Sequence, residues 1–266
     1  MSHAYEELDR RTTAIGELVL RRRLIPGLGS DLVYEIKRDD ELLMSSLVND
    51  SEIALAQLAI PHVGDGIFDV LVGGLGLGYT AWAALGYERV RSVRVVELLP
   101  AVIEWHRQGL LPLGTELADD PRCRLLQGDF FLFATDPSVR DLVHPAGGYG
   151  AILLDIDHAP DAWLRPEHGG FYAAEALAAT AALLQSGGVL AVWSCGEPQA
   201  AFEAELAEVF PSVSTEEVTI YNPLADREQT DTIYLAKRNG SIPIPTRARP
   251  ATEPRNRPAD RTARRR

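Results

Sequence analysis

The sequence predicts an α/β fold, in which a small N-terminal β cap precedes a mostly parallel sheet whose last strand is antiparallel. After Gly66, short apolar runs alternate with helical patterns, which is typical of parallel strands joined by crossover helices. Before that point, three strand patterns are separated by turn residues. After the last helical pattern, two strand patterns with a short polar stretch between them suit an antiparallel pair.

The predicted elements follow in chain order. The cap strands are expected at residues 17–24, 32–38 and 41–45, because the turn chemistry of PGLG and of Asp39-Asp40 separates them. A helix is expected at 51–60, where Asp50 or Ser51 can cap it. Strands of the main sheet are expected at 68–72, 93–96, 124–126, 151–154, 189–193, 217–221 and 232–236. The other helices are expected at 79–85, 100–110, 172–185 and 200–210.

Composition excludes several classes of protein. The 266 residues are 46% hydrophobic, which is ordinary for a globular chain of one or two domains. No stretch approaches the roughly 18 consecutive apolar residues that span a bilayer, so an integral membrane protein is not expected. The N-terminal residues mix acids and bases and lack the pattern of a secretory signal. Two cysteines, Cys123 and Cys195, match neither a disulfide framework nor a zinc spacing, so a cytoplasmic location is predicted.

Charge is distributed unevenly along the chain. The formal net charge is −12, which argues against duplex nucleic acid as the main partner. Residues 239–266 contain eight Arg, two acids and five Pro, so they carry +6 and leave −18 for the other 238 residues. This segment is predicted to be a disordered basic tail, either simply solvated or touching RNA or a membrane. The cap is assigned to residues 1–50 and the sheet domain to 51–238.

A glycine loop predicts a nucleoside site. The run VLVGGLGLG ends a strand and opens a helix, and Gly74, Gly76 and Gly78 would let a nucleoside approach the backbone. The next strand ends at Glu97, whose carboxylate can accept both ribose hydroxyls. A dinucleotide fingerprint starting at Gly74 would need a glycine where Tyr79 stands. The domain is therefore predicted to be Rossmann-like and to bind an adenosyl-sulfonium nucleoside rather than NAD.

Two later strands end in further candidate residues. Asp129 could accept a hydrogen bond from an adenine amino group, and Phe130 could flank the base. Asp155, Asp157 and His158 follow the fourth sheet strand, beside the glycine loop at the expected topological switch point. These three side chains could also hold a metal ion, but no further ligand cluster supports that reading and no metal is predicted.

The run from residue 32 to 237 resembles the spermidine synthase family of aminopropyltransferases, which shares the class I methyltransferase fold. The motifs that carry the resemblance are the β cap, Ser51-Glu52, VGGLGLG, Glu97, Gly128-Asp129, YGAILLDIDHAP and Phe171-Tyr172. The resemblance implies transfer of an aminopropyl group from decarboxylated S-adenosylmethionine to a small amine, with Asp155 as the base. It also implies a homodimer, and it assigns Glu52 and Tyr79 to the substrate side of the site.

The sequence departs from that family at the amine side. The family carries GGGDGG, whose Asp helps hold an amino group, and Gly76 occupies that place here. The family also carries DSSDP, in which the first Asp matches Asp155 and the second falls on His158, with an extra acid at Asp157. Asp157 and His158 are accordingly expected to bind the distal ammonium or to assist its deprotonation.

Two other functions stay open at this stage. The missing Asp at Gly76 is compatible with a methyltransferase that uses S-adenosylmethionine itself, or with a nucleoside-binding protein without turnover. Structural readings stay open too: Asp155, Asp157 and His158 as turn residues, Asp129 as a loop residue, and Glu97 as solvated surface. Core packing is expected for Trp82, Trp105 and Met44, a buried position for Cys195 and an exposed one for His106.

Overall fold

The computed structural model describes residues 5–13, 15–28, 31–140 and 145–239, and they form two β-sheets and their covering helices. The predicted tail, apart from Asn239, lies outside the described residues. One sheet has four antiparallel strands and the other has seven strands, most of them parallel. The predicted α/β fold with a separate N-terminal β cap is thus confirmed.

The cap sheet has one more strand than predicted. It contains β1 (Tyr5–Thr13), β2 (Gly16–Leu24), β3 (Leu32–Arg38) and β4 (Glu41–Ser45) in that order. The extra strand, β1, reads YEELDRRTT and has no buried residue, so apolar alternation does not reveal it. Cross-strand ion pairs such as Arg22–Glu6 join it to β2 instead. Such a charged edge strand also resists pairing with another chain.

The main sheet has the strand order β10-β11-β9-β8-β5-β6-β7. Its strands are β5 (Phe68–Gly73), β6 (Val90–Glu97), β7 (Cys123–Gln127), β8 (Tyr149–Leu154), β9 (Leu184–Cys195), β10 (Ser212–Asn222) and β11 (Arg227–Lys237). The five strands from β9 to β7 are parallel, whereas β11 is antiparallel to β9 and β10 is antiparallel to β11. The reversed last strand agrees with the prediction.

Helices cover both faces of this sheet. They are α1 (Asp50–Ala59), α2 (Tyr79–Leu85), α3 (Pro100–Arg107), α4 (Gly114–Asp119), α5 (Phe130–Thr135), α6 (Pro137–Arg140), α7 (Ala174–Ala181) and α8 (Ala200–Val209), with 3₁₀ helices at Ile60–His62 and Pro166–Tyr172. The helix predicted at 172–185 is shorter, because the 3₁₀ helix precedes it and β9 already begins at Leu184. No helix in the described part of the chain is long and apolar enough to cross a membrane.

The core consists of two apolar layers, one on each face of the sheet. Along β5, Val70 and Val72 pack into one layer and Leu71 into the other, as the alternation of side chains along a strand requires. The first layer contains residues of α1, α2 and α3 and also Leu18 of the cap. The second contains the aromatic residues of α5 and α8, Phe202 among them. The cap and the main sheet therefore share one hydrophobic core.

The chain reverses its direction of travel across the sheet at β5. It runs outward from β5 to β6 and β7, then returns to place β8 on the other side of β5. Loops that leave β5 and β8 therefore diverge and open a crevice at the carboxyl ends of the strands. The glycine loop and Asp155 both border this crevice.

A buried ion-pair cluster joins the cap strands. Glu35 on β3 has no exposed side-chain surface and pairs with Arg21 at 2.6 Å and Arg23 at 2.7 Å, both on β2. Burial alone would raise the pKa of Glu35, but Arg23 and Arg21 hold it below its ordinary value.

Glu35→Gln is expected to lower the free energy of unfolding at neutral pH by about 2 kcal/mol, because both arginines lose a buried anion. Since the folded-state pKa of Glu35 lies below the unfolded value, its contribution is lost as the pH falls through the folded-state pKa. Urea unfolding measures the free energy of unfolding of the parent protein and of Glu35→Gln at neutral and at acidic pH. The difference between the two proteins is expected to shrink at acidic pH. The matched control is Glu6→Gln, which removes the half-exposed partner of Arg22. Equal destabilisation by the two variants at neutral pH would contradict the assignment.

Candidate active site

A cavity of about 290 Å³ lies at the carboxyl ends of β5, β6, β7 and β8, where the crevice was expected. The cap closes it from above through Met44 and Ser45, at the end of β4. All but one of the predicted site residues line it: Glu52, Gly74, Gly76, Gly78, Tyr79, Glu97, Asp129, Phe130, Asp155 and His158. The exception is Asp157.

The glycine loop lies directly against the backbone that follows β8. Gly74 has a φ of +90°, and a Cβ atom there would stand 2.1 Å from the carbonyl oxygen of Asp155. The amide of Asp155 donates to the carbonyl of Gly73 at 2.9 Å, which continues the pairing of the two strands. Only glycine permits both this conformation and this approach.

Glu97 is the last residue of β6 and is largely buried, so the alternative of solvated surface is wrong. Its Oε2 accepts from the amide of Leu75 at 2.9 Å, and its Oε1 accepts from the amide of Leu99 at 2.8 Å. Burial raises the pKa of Glu97 above its ordinary value, although these amides oppose the shift. Glu97 also lines the cavity, where a carboxylate is a suitable acceptor for hydroxyl donors.

Asp129 and Phe130 form the end of the cavity at β7. Asp129 caps α5, because its Oδ1 accepts from the amides of Phe131 and Leu132. Its Oδ2 lies 3.8 Å from the guanidinium of Arg165. Phe130 packs edge-to-face on Phe131, with ring centres 5.8 Å apart. Phe130 was predicted to flank a base here, whereas the capping role of Asp129 was not predicted.

Three carboxyl groups line the opposite part of the cavity: Glu52 on α1, Asp155 after β8 and Asp231 on β11. The hydroxyl of Thr80 donates to Asp155 Oδ2 at 2.7 Å. Burial, with a contribution from the charge of Asp231, raises the pKa of Asp155 to about 6. Burial and then the charge of Asp155 raise the pKa of Glu52 to about 8. This group therefore favours a bound cation, which would stabilise the ionised forms of the acids.

Asp231 was not predicted. Its Oδ2 accepts from the indole nitrogen of Trp193 at 3.2 Å, and burial raises its pKa. It reaches the cavity because β11 pairs with β9, which places Asp231 opposite Cys195. The sequence marks Asp231 only as a lone acid at the start of the apolar run TDTIYLA. Whether Asp231 reaches the cavity depends on the strand order, which the sequence pattern does not give.

Gly76 faces an apolar wall. Its φ is +50°, and a Cβ atom there would lie 3.0 Å from the sulfur of Met44. A thioether from the cap therefore stands beside the position where the related motif has Asp. The carbonyl of Gly76 lies 3.0 Å from Nε2 of His106, which is fully buried. The prediction of an exposed His106 is wrong, because that face of α3 packs against the glycine loop.

Asp157 lies behind the cavity wall and not in it. Its Oδ1 accepts from the amide of Leu164 at 2.8 Å and lies 2.7 Å from Nδ1 of His168, while its Oδ2 accepts from the hydroxyl of Tyr172 at 2.9 Å. Only 2% of its surface is exposed. Its position corrects the expectation that it meets an amine, because its oxygens are occupied by protein donors.

His158 and Tyr79 lie on the cavity lining as expected. His158 is half-exposed, with Nε2 3.8 Å from Oε1 of Glu41 on β4, so it bridges the sheet edge and the cap. Burial raises the pKa of Tyr79, and the nearby charge of Glu52 adds to this shift. Cys195 is exposed at the end of β9, so the expectation of a buried thiol is wrong. Among the residues described, no three His, Cys, Asp or Glu side chains are grouped so that they could share a metal ion.

Known proteins that are similar to this chain include polyamine aminopropyltransferases and spermidine synthases. The chain is 33% identical over 141 residues to the polyamine aminopropyltransferase of Mycobacterium tuberculosis, a segment that is 53% of this chain and 25% of that protein. It is also 33% identical over 88 residues to the polyamine aminopropyltransferase of Sulfolobus acidocaldarius, covering 33% of this chain and 26% of the relative. The chain resembles the polyamine aminopropyltransferases. The resemblance predicted from the motifs is thus confirmed, although the match spans only about a quarter of these relatives' length.

The fold is shared with spermidine synthases. A spermidine synthase in complex with the transition state analogue AdoDATO superimposes with a TM-score of 0.64 and 17% identity, covering 88% of this chain and 74% of that one. The spermidine synthase of Thermotoga maritima gives the same TM-score and identity, covering 73% of its chain. At this identity the likeness concerns the fold. No protein-family model matches the chain.

Gly74→Ala is expected to destabilise the protein by about 1–2 kcal/mol more than an alanine substitution at a glycine that has the same positive φ but open space around it. The added methyl group at position 74 would meet the Asp155 carbonyl. Gly27→Ala is the matched control, since Gly27 has the same φ of +90° and nothing within 4 Å of an added Cβ. Denaturant unfolding of both variants separates the cost of conformation from the cost of close contact. Similar losses in the two variants would refute the close approach.

Proposed function

We propose that the chain catalyses the transfer of an aminopropyl group from decarboxylated S-adenosylmethionine to a small amine. Sequence similarity to polyamine aminopropyltransferases and the spermidine synthase fold support this proposal. The observation that carries it is one cavity that combines a glycine loop and Glu97 with the buried carboxyl groups of Asp155, Glu52 and Asp231. The first part suits a nucleoside, and the second suits a cationic amine.

The reaction needs alignment and one proton acceptor. The amine nitrogen forms a bond to the carbon beside the sulfonium, the carbon–sulfur bond breaks with its electron pair going to sulfur, and a neutral thioether leaves. The nitrogen must first lose a proton, and Asp155 is the proposed acceptor. With a pKa of about 6, Asp155 is mostly ionised at neutral pH and still basic enough to take that proton. Thr80 holds its carboxylate in place.

Glu52 and Asp231 are proposed to hold the ammonium groups of the amine. Both are more weakly acidic than usual because of burial, so their carboxyl groups gain more from a cationic partner than exposed acids would. His158, at the rim beside Glu41, is proposed to contact the distal part of the substrate. Glu97 is proposed to bind the ribose, and Asp129 and Phe130 to border the base. A homodimer and a cytoplasmic location complete the proposal, on the basis of the family resemblance and the unpaired cysteines.

Methyl transfer from S-adenosylmethionine is the second candidate, and one observation favours it. Among the described residues, a Cβ atom at Gly76 would meet the Met44 thioether and no carboxylate within 4 Å, so this wall offers no ion pair to the ammonium of an aminopropyl arm. In aminopropyl transfer, the acids across the cavity would therefore have to bind both that ammonium and the acceptor amine. Methyl transfer makes no such demand.

Product identity separates the two functions. The protein is incubated with each nucleoside and a panel of diamines and polyamines, and the released thioether is identified by mass spectrometry. Methylthioadenosine is expected, while S-adenosylhomocysteine would establish methyl transfer instead. Nucleoside binding without either product would leave a binding protein and overturn the proposed activity.

Asp155→Asn is expected to lower kcat by roughly 10²–10⁴-fold, the usual contribution of a general base, while nucleoside affinity is retained. Turnover assays and titration calorimetry measure the two quantities. Asp161→Asn is the matched control, because Asp161 is an exposed acid on the same loop whose side chain, within the described part of the chain, accepts a hydrogen bond from Gln199. Full turnover by Asp155→Asn would remove Asp155 from the mechanism.

A further inference from the structure

A buried histidine on α3 contacts the glycine loop and has no role in the mechanism above. His106 has no exposed surface, and its Nε2 lies 3.0 Å from the carbonyl oxygen of Gly76. Its Cε1 would lie 2.9 Å from a Cβ atom at Gly78, so the imidazole packs closely against this part of the loop. Both glycines line the cavity. His106 therefore supports a part of the cavity wall.

The partner of Nε2 determines the form of the ring. A backbone carbonyl only accepts hydrogen bonds, so Nε2 of His106 carries a proton and donates it to Gly76. Burial lowers the pKa of His106, although the bond to Gly76 opposes this shift, and the ring is accordingly neutral at neutral pH. Nδ1 is then an acceptor, and within the described ranges of the chain it is buried without a hydrogen-bond partner.

An unpartnered nitrogen in the core is unfavourable. A buried acceptor that makes no hydrogen bond destabilises a fold, because it loses its contact with water and gains nothing in return. An apolar side chain of similar volume at position 106 would avoid this loss and could still fill the space. What His106 provides and an apolar side chain cannot provide is the donor at Nε2.

That donor acts on a residue that is held from two sides. The amide of Gly76 joins those of Leu99 and Leu75 in stabilising the ionised form of Glu97, and the carbonyl of Gly76 accepts from His106. Gly76 has a φ of +50°, and a glycine backbone reaches many other conformations at little steric cost. The two restraints together fix the loop where it passes Glu97, the residue proposed to bind the ribose.

We infer that His106 is a positioning residue for the nucleoside: its Nε2–H fixes the Gly76 carbonyl and so keeps the loop beside Glu97 in the conformation that receives the ribose. The inference rests on the proposed nucleoside site. Because His106 acts through the loop and contacts no reacting atom, its removal is expected to change nucleoside affinity more than kcat.

Two variants of matched side-chain length test the role of the donor. His106→Met removes it, whereas His106→Gln keeps an N–H group at a similar reach. Affinity for 5′-methylthioadenosine is measured by titration calorimetry. His106→Met is expected to bind about tenfold more weakly, as for the loss of one hydrogen bond, while His106→Gln stays within about threefold of the parent protein. In turnover assays, the loss is expected in KM for the nucleoside, with kcat changed by less than about threefold.

Trp105→Phe is the matched control on the same helix. Trp105 is as deeply buried as His106, and its Nε1 donates to Oδ2 of Asp9 on β1 at 2.7 Å. The variant therefore removes a hydrogen bond of α3 that does not involve the glycine loop. It is expected to lower the urea midpoint of unfolding while nucleoside affinity stays within about threefold. Affinity and stability are measured for all three variants, because a histidine that only packs the core would change both together.

Nitrogen NMR examines the same bond in the parent protein and does not depend on the folding of any variant. Long-range proton–nitrogen spectra distinguish the two neutral tautomers of a histidine ring. The Nε2–H tautomer of His106 is expected at neutral pH, both in the free protein and with 5′-methylthioadenosine bound. An Nδ1–H tautomer would contradict donation to Gly76 and overturn the inference.

The binding results decide between the proposals. Weaker binding by His106→Met, with recovery in His106→Gln and no loss in Trp105→Phe, supports the inference. Unchanged affinity in folded His106→Met overturns it, as does an equal loss in His106→Gln or an affinity that falls in step with stability across the three variants. The proposed function stands in each of these cases. Absence of nucleoside binding by the parent protein overturns the proposed function itself, and with it the inference.

Discussion

The backbone of the glycine loop lies against the backbone that leaves β8, and the arrangement of the cavity depends on this contact. Gly74 has room for a hydrogen atom but not for a methyl group beside the Asp155 carbonyl. The contact occurs where the chain changes direction across the sheet, so a loop from β5 and a loop from β8 border the same crevice. It fixes Asp155 next to Thr80 at the start of α2, and it orients the Leu75 amide toward Glu97.

The close packing around the cavity raises the pKa values of its acids. Asp155, Glu52 and Asp231 are withdrawn from water and lie near one another, so their protonated forms are favoured. Their folded-state pKa values exceed those of an unfolded chain, hence these groups oppose folding increasingly as the pH rises through neutrality. Buried ion pairs such as Glu35 with Arg21 and Arg23 act in the opposite sense. The cap thus stabilises the fold while the cavity keeps acids that gain from a cationic ligand.

The strand and glycine patterns of the sequence predicted the site residues that lie at the ends of strands. The glycines, Asp129 and Asp155 each follow a strand and Glu97 ends one, and the ends of parallel strands meet at one edge of the sheet. The direction of a loop side chain is not set this way. Asp157 turns away from the cavity because Leu164, His168 and Tyr172, seven to fifteen residues later, supply its donors. The position of Asp231 depends on strand order, and that of His106 depends on how α3 packs. The strand β1 lacks an apolar face. Neither residue spacing nor hydropathy therefore identifies these three features.

The function proposed for the cavity depends on carboxyl groups that are withdrawn from water and interact with one another. Their titration is the most direct test of this dependence. Carbon-detected NMR of the side-chain carboxyl groups, assigned with Glu52→Gln and Asp155→Asn, follows both acids through a pH series. The pair is expected to titrate with apparent pKa values of about 8 and about 6 in the free protein. Titration of both groups near the ordinary value of about 4 would contradict the account.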